Sequence, residues 1–170
     1  MIQAQDPLVV FLAETWLDKA RLEEIKVRYK FGGLIELSII SRGGGVAIFW
    51  KEECDFSIVT YSPNHIDAIV NKGREDEWRF TGFYGELDTR NRHESWSKLR
   101  KLKNKFNLPW LCARDFNEIT KIDKKLGGKF RPRRQMEDVL DEYEFKDVGF
   151  VGGKYTWYRG TGRGNTIWER

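Results

Sequence analysis

"WLCARDFNEI" (110–119) opens as an apolar run and breaks abruptly into Arg114, Asp115, Phe116 and Asn117. In a strand leaving the core here, a side-chain period of two sends Asp115 and Asn117 to one face and Phe116 to the other, into packing. One face then carries a carboxylate acceptor beside an amide that both donates and accepts. A strand-to-turn cap uses the same residue types, so the pair alone leaves cap and site open.

Working outward, "PLVVFLAET" (7–15) is a second near-continuous apolar run, ending on Glu14 and Thr15. It reads as a strand buried on both faces with its polar end at a sheet rim. If the two strand ends share a rim, Glu14 and Asp115 form a carboxylate cluster. With few His and no paired Cys, such a cluster suits a hard cation such as Mg²⁺, held by one or two carboxylates and water. Glu14 also reads as a helix-start carboxylate favoured by the macrodipole. Thr15 and Asp18 have capping-box spacing, and Leu22, Ile25 and Tyr29 recur on one helical face through "LDKARLEEIKVRYK".

From Gly32 to Tyr84 short β-rich runs follow: "GLIELSII", "GVAIFW" (45–50), "FSIVTYS" (56–62), "IDAIV" (66–70) and "WRFTGFY" (78–84). Gly, Pro, Asn and charged breaks separate them, which predicts a mostly antiparallel meander. The Gly run in "SRGGGVAIFW" lacks the Lys-Ser/Thr of a P-loop and leads into a strand, so it reads as a tight turn. "RHESWSKLRKLKNKF" (92–106) is an amphipathic helix with Trp96, Leu99, Leu102 and Phe106 on its apolar side and a solvated basic face. "LPWLCA" (108–113) is the next buried strand. Beyond it come the basic loop "KIDKKLGGKFRPRR", a short helix carrying Met136, Val139, Leu140 and Tyr143, and strand-like "KYTWY" (154–158) and "TIWE" (166–169). Long β stretches with two or three helices predict an α+β or layered sheet-on-sheet domain with helices outside.

The 170 residues are 40% hydrophobic, enough for one core and short for two, so a single domain over 1–170 is expected. A formal charge of +4 and a pI near 9.0 permit a polyanion partner without demanding one. Cys54 and Cys112 lack CxxC spacing and no signal peptide opens the chain, which fits an intracellular setting. No apolar run approaches the ~18 residues of a membrane span, and mean hydropathy is −0.61, so no membrane partner is expected.

"FLAET", "GFYG", "LCARDFNE", "LGG…RPRRQME" and "KYTW…IWER" together resemble, in that order, the endonuclease/exonuclease/phosphatase domain that precedes reverse transcriptase in plant LINE-type (non-LTR) retrotransposons. Five ordered motifs spread over essentially the whole chain carry far more weight than any one of them. The resemblance implies a four-layered α/β (α+β) sandwich, two mainly antiparallel sheets face to face with outer helices. It also implies Mg²⁺-dependent phosphodiester hydrolysis, with Mn²⁺ able to serve. In the LINE branch that hydrolysis nicks chromosomal DNA in the nucleus and leaves a 3′-hydroxyl to prime reverse transcription.

Carried over by position, Glu14 matches the metal-binding Glu, Asp115 the water-activating Asp, Asn117 the phosphate-positioning Asn, and Tyr84 the active-site Tyr near the scissile phosphate. Arg90 lies where the related abasic-site endonucleases have a DNA-contacting Arg. In the basic loop, Lys129, Arg131, Arg133 and Arg134 follow the DFN strand end and are read as DNA contacts. A monomer is expected, with DNA as partner and a reverse transcriptase region C-terminal to this segment in the full-length product.

Three departures from the family pattern stand out. The family begins with an earlier strand bearing an Asn at the metal site and ends on an Asp-His pair; neither has an equivalent here, so a domain incomplete at both termini and impaired catalysis are expected. His65 and His93 are the only histidines, and neither stands where the terminal His belongs. His65 matches a family position to which no catalytic role attaches and reads as a strand-end structural residue. Arg114 replaces the usual Gly before the DFN Asp. If that position needs positive φ, the cost is about 1–2 kcal/mol, and a guanidinium beside Asp115 would compete with the cation. The rival readings are an inactive retroelement fragment that binds nucleic acid weakly, and a phosphoesterase of the same superfamily acting on a non-DNA substrate.

Overall fold

The computed structural model describes residues 5–37, 44–86, 88, 90–115, 125–126, 141–142, 144–146, 148–149, 157–159 and 167–169. They gather into two compact units, one built from Met1–Leu87 with Phe106–Phe116, the other from Asp88–Lys105 with Asn117–Arg170.

In the first unit β1 (Val9–Thr15), β2 (Gly33–Leu37) and β3 (Gly45–Trp50) form a three-stranded antiparallel sheet in the order β1-β3-β2. The second sheet, in the order β4-β5-β6-β7, holds β4 (Phe56–Ser62), β5 (His65–Val70), β6 (Trp78–Tyr84) and β7 (Trp110–Asp115). β4 to β6 are antiparallel, whereas β7 runs parallel to β6. A parallel pair needs a long crossover, and residues 85–109 supply it. The strands expected at 45–50, 56–62 and 78–84 are found over those residues, each a short β-rich run bounded by break residues.

Period-two packing sorts each strand. Val46 and Ile48 of β3, Ile66, Ala68 and Val70 of β5, and Phe80 and Tyr84 of β6 share one core with Phe11 and Ala113, so the sheets lie face to face. Ala47 and Phe49 point the other way and meet Leu22 and Ile25 of helix α1 (Lys19–Arg28) and its C-cap Tyr29. The N-cap of α1 is Asp18, whose carboxylate accepts the Arg21 N–H at 2.9 Å. The capping box expected from Thr15 is therefore absent, since Thr15 still belongs to β1 and pairs with Gly45.

The far face of the four-stranded sheet carries a buried ion pair. Arg79, 1% exposed, donates from Nε and Nη2 to Asp67 at 2.8 and 2.9 Å, and the Thr81 hydroxyl donates to Asp67 at 2.6 Å. The guanidinium lies over the rings of Trp110 (4.6 Å) and Phe106 (5.3 Å). Phe106 thus falls beyond the helix on which its spacing had placed it.

The second unit contains helix α2 (Arg92–Lys103), with Trp96, Leu99 and Leu102 buried, and a small antiparallel sheet. That sheet, in the order β8-β10-β9, holds β8 (Lys125–Leu126), β9 (Trp157–Arg159) and β10 (Ile167–Glu169). β8 arises inside the stretch read as a basic loop. The helix expected around Met136–Tyr143 lies largely outside the described residues.

Candidate active site

Glu14 sits near the end of β1, where pairing with β3 slips: Leu12 faces Ala47, yet Thr15 faces Gly45. This bulge puts Glu14 at φ +57°, a left-handed conformation that costs a non-glycine residue about 1–2 kcal/mol. Gly44, at φ +76°, lies against the bulge. A Cβ there would stand 2.9 Å from the Glu14 carbonyl carbon and 3.0 Å from the Thr15 oxygen. Backbone strain thus falls on Glu14. Arg114, where it was anticipated, is not among the positive-φ residues and pairs regularly with Phe83. Nor is Glu14 a helix-start residue, since Asp18 holds that role.

Tyr84 ends β6 on the inner face, 3% exposed, and its hydroxyl donates to the Glu14 carboxylate at 2.8 Å. Their approach depends on Gly82, where a Cβ would come within 2.4 Å of Phe11 Cδ2. With no side chain at 82, the Phe11 ring lies directly on β6, three residues before Glu14 and two before Tyr84. The Tyr84 backbone is fixed on both flanks. Its N–H donates to the Asn64 carbonyl at 2.8 Å, and Tyr84 is the register partner of Asp115, whose carbonyl takes the Gly85 N–H at 2.6 Å.

Glu14, Tyr84 and Asp115 are therefore brought to one end of the sandwich, with Asp115 exposed there. Asn117, Lys129, Arg131, Arg133 and Arg134 lie outside the described residues. Arg90 belongs to the second unit. It is 84% exposed and binds Asp88, donating from Nη2 to Oδ2 at 2.7 Å and from Nε to both oxygens. That hydrogen bond and the Asp88 charge raise its pKa further.

Among the described residues no three potential metal-ligating side chains gather together. Mg²⁺ asks for less, since one or two carboxylates with water complete its shell. Glu14 accepts from Tyr84 on Oε1, and among the described residues Oε2 takes no hydrogen bond. This hard-oxygen donor set fits a small divalent cation.

Three positions that matter to the geometry carried no signal of it in the sequence. Gly44 read only as part of a turn, Gly82 as a strand residue, and Asn64 as a break. Their importance comes from contacts that only the tertiary register creates.

No family model matches the chain, and no curated protein matches it. Solved structures do. The endonuclease domain of TRAS1, a telomere-specific non-LTR retrotransposon, superposes with a TM-score of 0.64 at 16% identity over 96% of this chain and 82% of that one. ANGEL2, a 2′,3′-cyclic phosphatase, gives 0.53 at 12% identity over 74% of this chain and 46% of its own. TDP2 from Caenorhabditis elegans gives 0.52 at 12% identity over 99% of this chain and 56% of its own. The chain thus spans about half the length of the latter two. Identities this low speak for fold alone, and what the chain shares with these structures is an α+β, two-sheet architecture.

Proposed function

We propose that this chain is a divalent-metal-dependent phosphodiesterase, specifically the DNA-nicking endonuclease segment of a LINE-type element. The observation that carries the reading is the Tyr84–Glu14 hydrogen bond, beside an Asp115 that the β6–β7 register sets next to Tyr84.

In this reading Glu14 holds Mg²⁺, which when bound offsets charge building on the non-bridging phosphate oxygens. Asp115 accepts a proton from the attacking water. The water oxygen bonds to phosphorus as the P–O3′ bond breaks, leaving a 5′-phosphate, and O3′ takes up a proton from solvent and leaves as a hydroxyl. Tyr84 holds the Glu14 carboxylate in place and presents its phenol edge to the phosphate. Asn117 positions that phosphate, and Arg90 with the basic loop contacts the DNA backbone. A 3′-hydroxyl end suits priming by a reverse transcriptase encoded further along the full-length product, and a chromosomal substrate would require the chain to act in the nucleus.

The test is nicking of supercoiled plasmid by the purified chain in Mg²⁺ or chelator, beside Glu14→Ala and Asp115→Ala. Metal-dependent nicking lost in both variants supports the proposal. No activity above the variants overturns it, and cleavage of a 2′,3′-cyclic phosphate but not plasmid would redirect the substrate to another phosphoester.

A further inference from the structure

His65 is buried, 6% exposed, at the first position of β5, and the hydrolysis outlined above does not use it. Its ring is held on both edges. Nδ1 lies 2.6 Å from Ser62 Oγ, and Nε2 lies 3.3 Å from Thr60 Oγ1. The Ser62 hydroxyl donates its single proton to Asn64 Oδ1 at 2.7 Å, so toward His65 it can only accept. Nδ1 therefore carries the hydrogen, and in the neutral ring Nε2 accepts from Thr60. The bonds run in one direction: Thr60 to His65, His65 to Ser62, Ser62 to Asn64.

Asn64 is where this chain of bonds reaches the site. Its backbone carbonyl accepts the Tyr84 N–H at 2.8 Å, and Tyr84 in turn donates to Glu14. The β4–β5 turn is thus a buttress under Tyr84 on the flank opposite β7. A hairpin needs no buried imidazole to close. Placing one between two hydroxyls ties the Ser62 side chain, and through it Asn64, to the start of β5, and so steadies the aim of the Asn64 carbonyl.

We propose that His65 is a positioning residue for the Tyr84–Glu14 pair, acting through Ser62 and Asn64. The proposal rests on the reading of that pair as part of a phosphodiesterase site, and its test separates the two. The full chain, labelled with [¹³Cζ]tyrosine, reports the Tyr84 hydroxyl directly by NMR, with Tyr84→Phe assigning the signal and Glu14→Ala marking its position once the bond is lost. In His65→Leu and in Ser62→Ala the Tyr84 signal moves toward the Glu14→Ala position. His65→Asn, whose amide nitrogen replaces Nδ1, keeps the wild-type position. Plasmid nicking in Mg²⁺ follows the same order, with kcat down about tenfold or more in the first two variants, KM unchanged, and recovery in the third.

If His65→Leu fails to fold, Ser62→Ala carries the same expectation. A Tyr84 signal unmoved in Ser62→Ala and His65→Leu overturns the positioning role, as does an equal shift in His65→Asn. A signal that depends on His65 in a chain that never nicks DNA leaves the positioning role standing and removes the phosphodiesterase reading instead.

Discussion

The Tyr84 hydroxyl and the Glu14 carboxylate meet at 2.8 Å although 70 residues separate them in the chain, and they come from different sheets. A hydrogen bond of this kind contributes only about 0.5–1.5 kcal/mol to stability. Two less forgiving features hold it: the left-handed bulge at Glu14 and the side-chain-free surface at Gly82. Both spend stability or packing area to aim one carboxylate.

The bulge gives the first prediction. Glycine adopts φ +57° without the Cβ penalty, so Glu14→Gly should be more stable than Glu14→Ala by about 1 kcal/mol, while both lose metal-dependent nicking. Urea unfolding of the two variants, read beside the plasmid assay, checks the pair. Equal stabilities would mean that the bulge carries no strain.

At Gly82 a single methyl group has nowhere to go, since Phe11 on the facing strand lies within 2.4 Å of it. Gly82→Ala should cost about 1–3 kcal/mol and reduce nicking more than stability alone explains, because it pushes Glu14 away from Tyr84. Adding Phe11→Leu should restore part of both. Denaturant midpoints and nicking rates of the single and double variants decide it.

The buried Asp67–Arg79 pair behaves differently. Removing one charge leaves the other buried without its ion-pair partner, so Asp67→Asn or Arg79→Met should each destabilise by about 3–5 kcal/mol. Asp67→Leu with Arg79→Met should recover most of the loss, since two apolar groups of similar size replace a pair whose attraction offsets its own desolvation. A double-mutant cycle in urea gives the coupling directly.

Much of this architecture is legible in the chain. β3, β4 and β6 are readable because break residues bound short runs rich in β-branched and aromatic residues, and α1 because Leu22, Ile25 and Tyr29 keep helical spacing. The start of α1 is misread, since Thr15 and Asp18 satisfy the capping-box pattern while Thr15 is already committed to β1. "IDAIV" and "WRFTGFY" show that Asp67, Arg79 and Thr81 fall at alternating positions, but only the β5–β6 register places Asp67 opposite Thr81. Glu14, Tyr84 and Asp115 are singled out by their motifs. The positive φ of Glu14 and the bond to Tyr84 are long-range consequences of sheet stacking, and no local pattern encodes them.

Cys54 supplies a pH dependence. Burial, then the charges of Asp55 and Glu53, push its thiol above the ordinary 9.0. In the unfolded chain the thiol ionises at its ordinary value, so the unfolded state sheds that proton first as pH rises. This contribution to stability is complete at neutral pH and is lost from about pH 8.5 upward. Cys54→Ala should flatten the alkaline limb of a stability–pH curve. In the native protein, Cys54 should also alkylate more slowly than Cys112, which mass spectrometry after a timed iodoacetamide pulse resolves.

The last prediction concerns Arg90, whose guanidinium is bound by both Asp88 oxygens. A DNA phosphate offers the same bidentate geometry, so it must displace Asp88 or share the guanidinium with it. If Arg90 contacts the backbone, Asp88→Asn should tighten DNA binding and steepen its salt dependence by about one unit of log–log slope. Arg90→Ala should then cancel that gain. Anisotropy titrations of a labelled duplex across salt concentrations, in chelator so that no strand is cut, measure both. An unchanged slope in Asp88→Asn would mean that the pair closes the turn before α2 and takes no part in holding DNA.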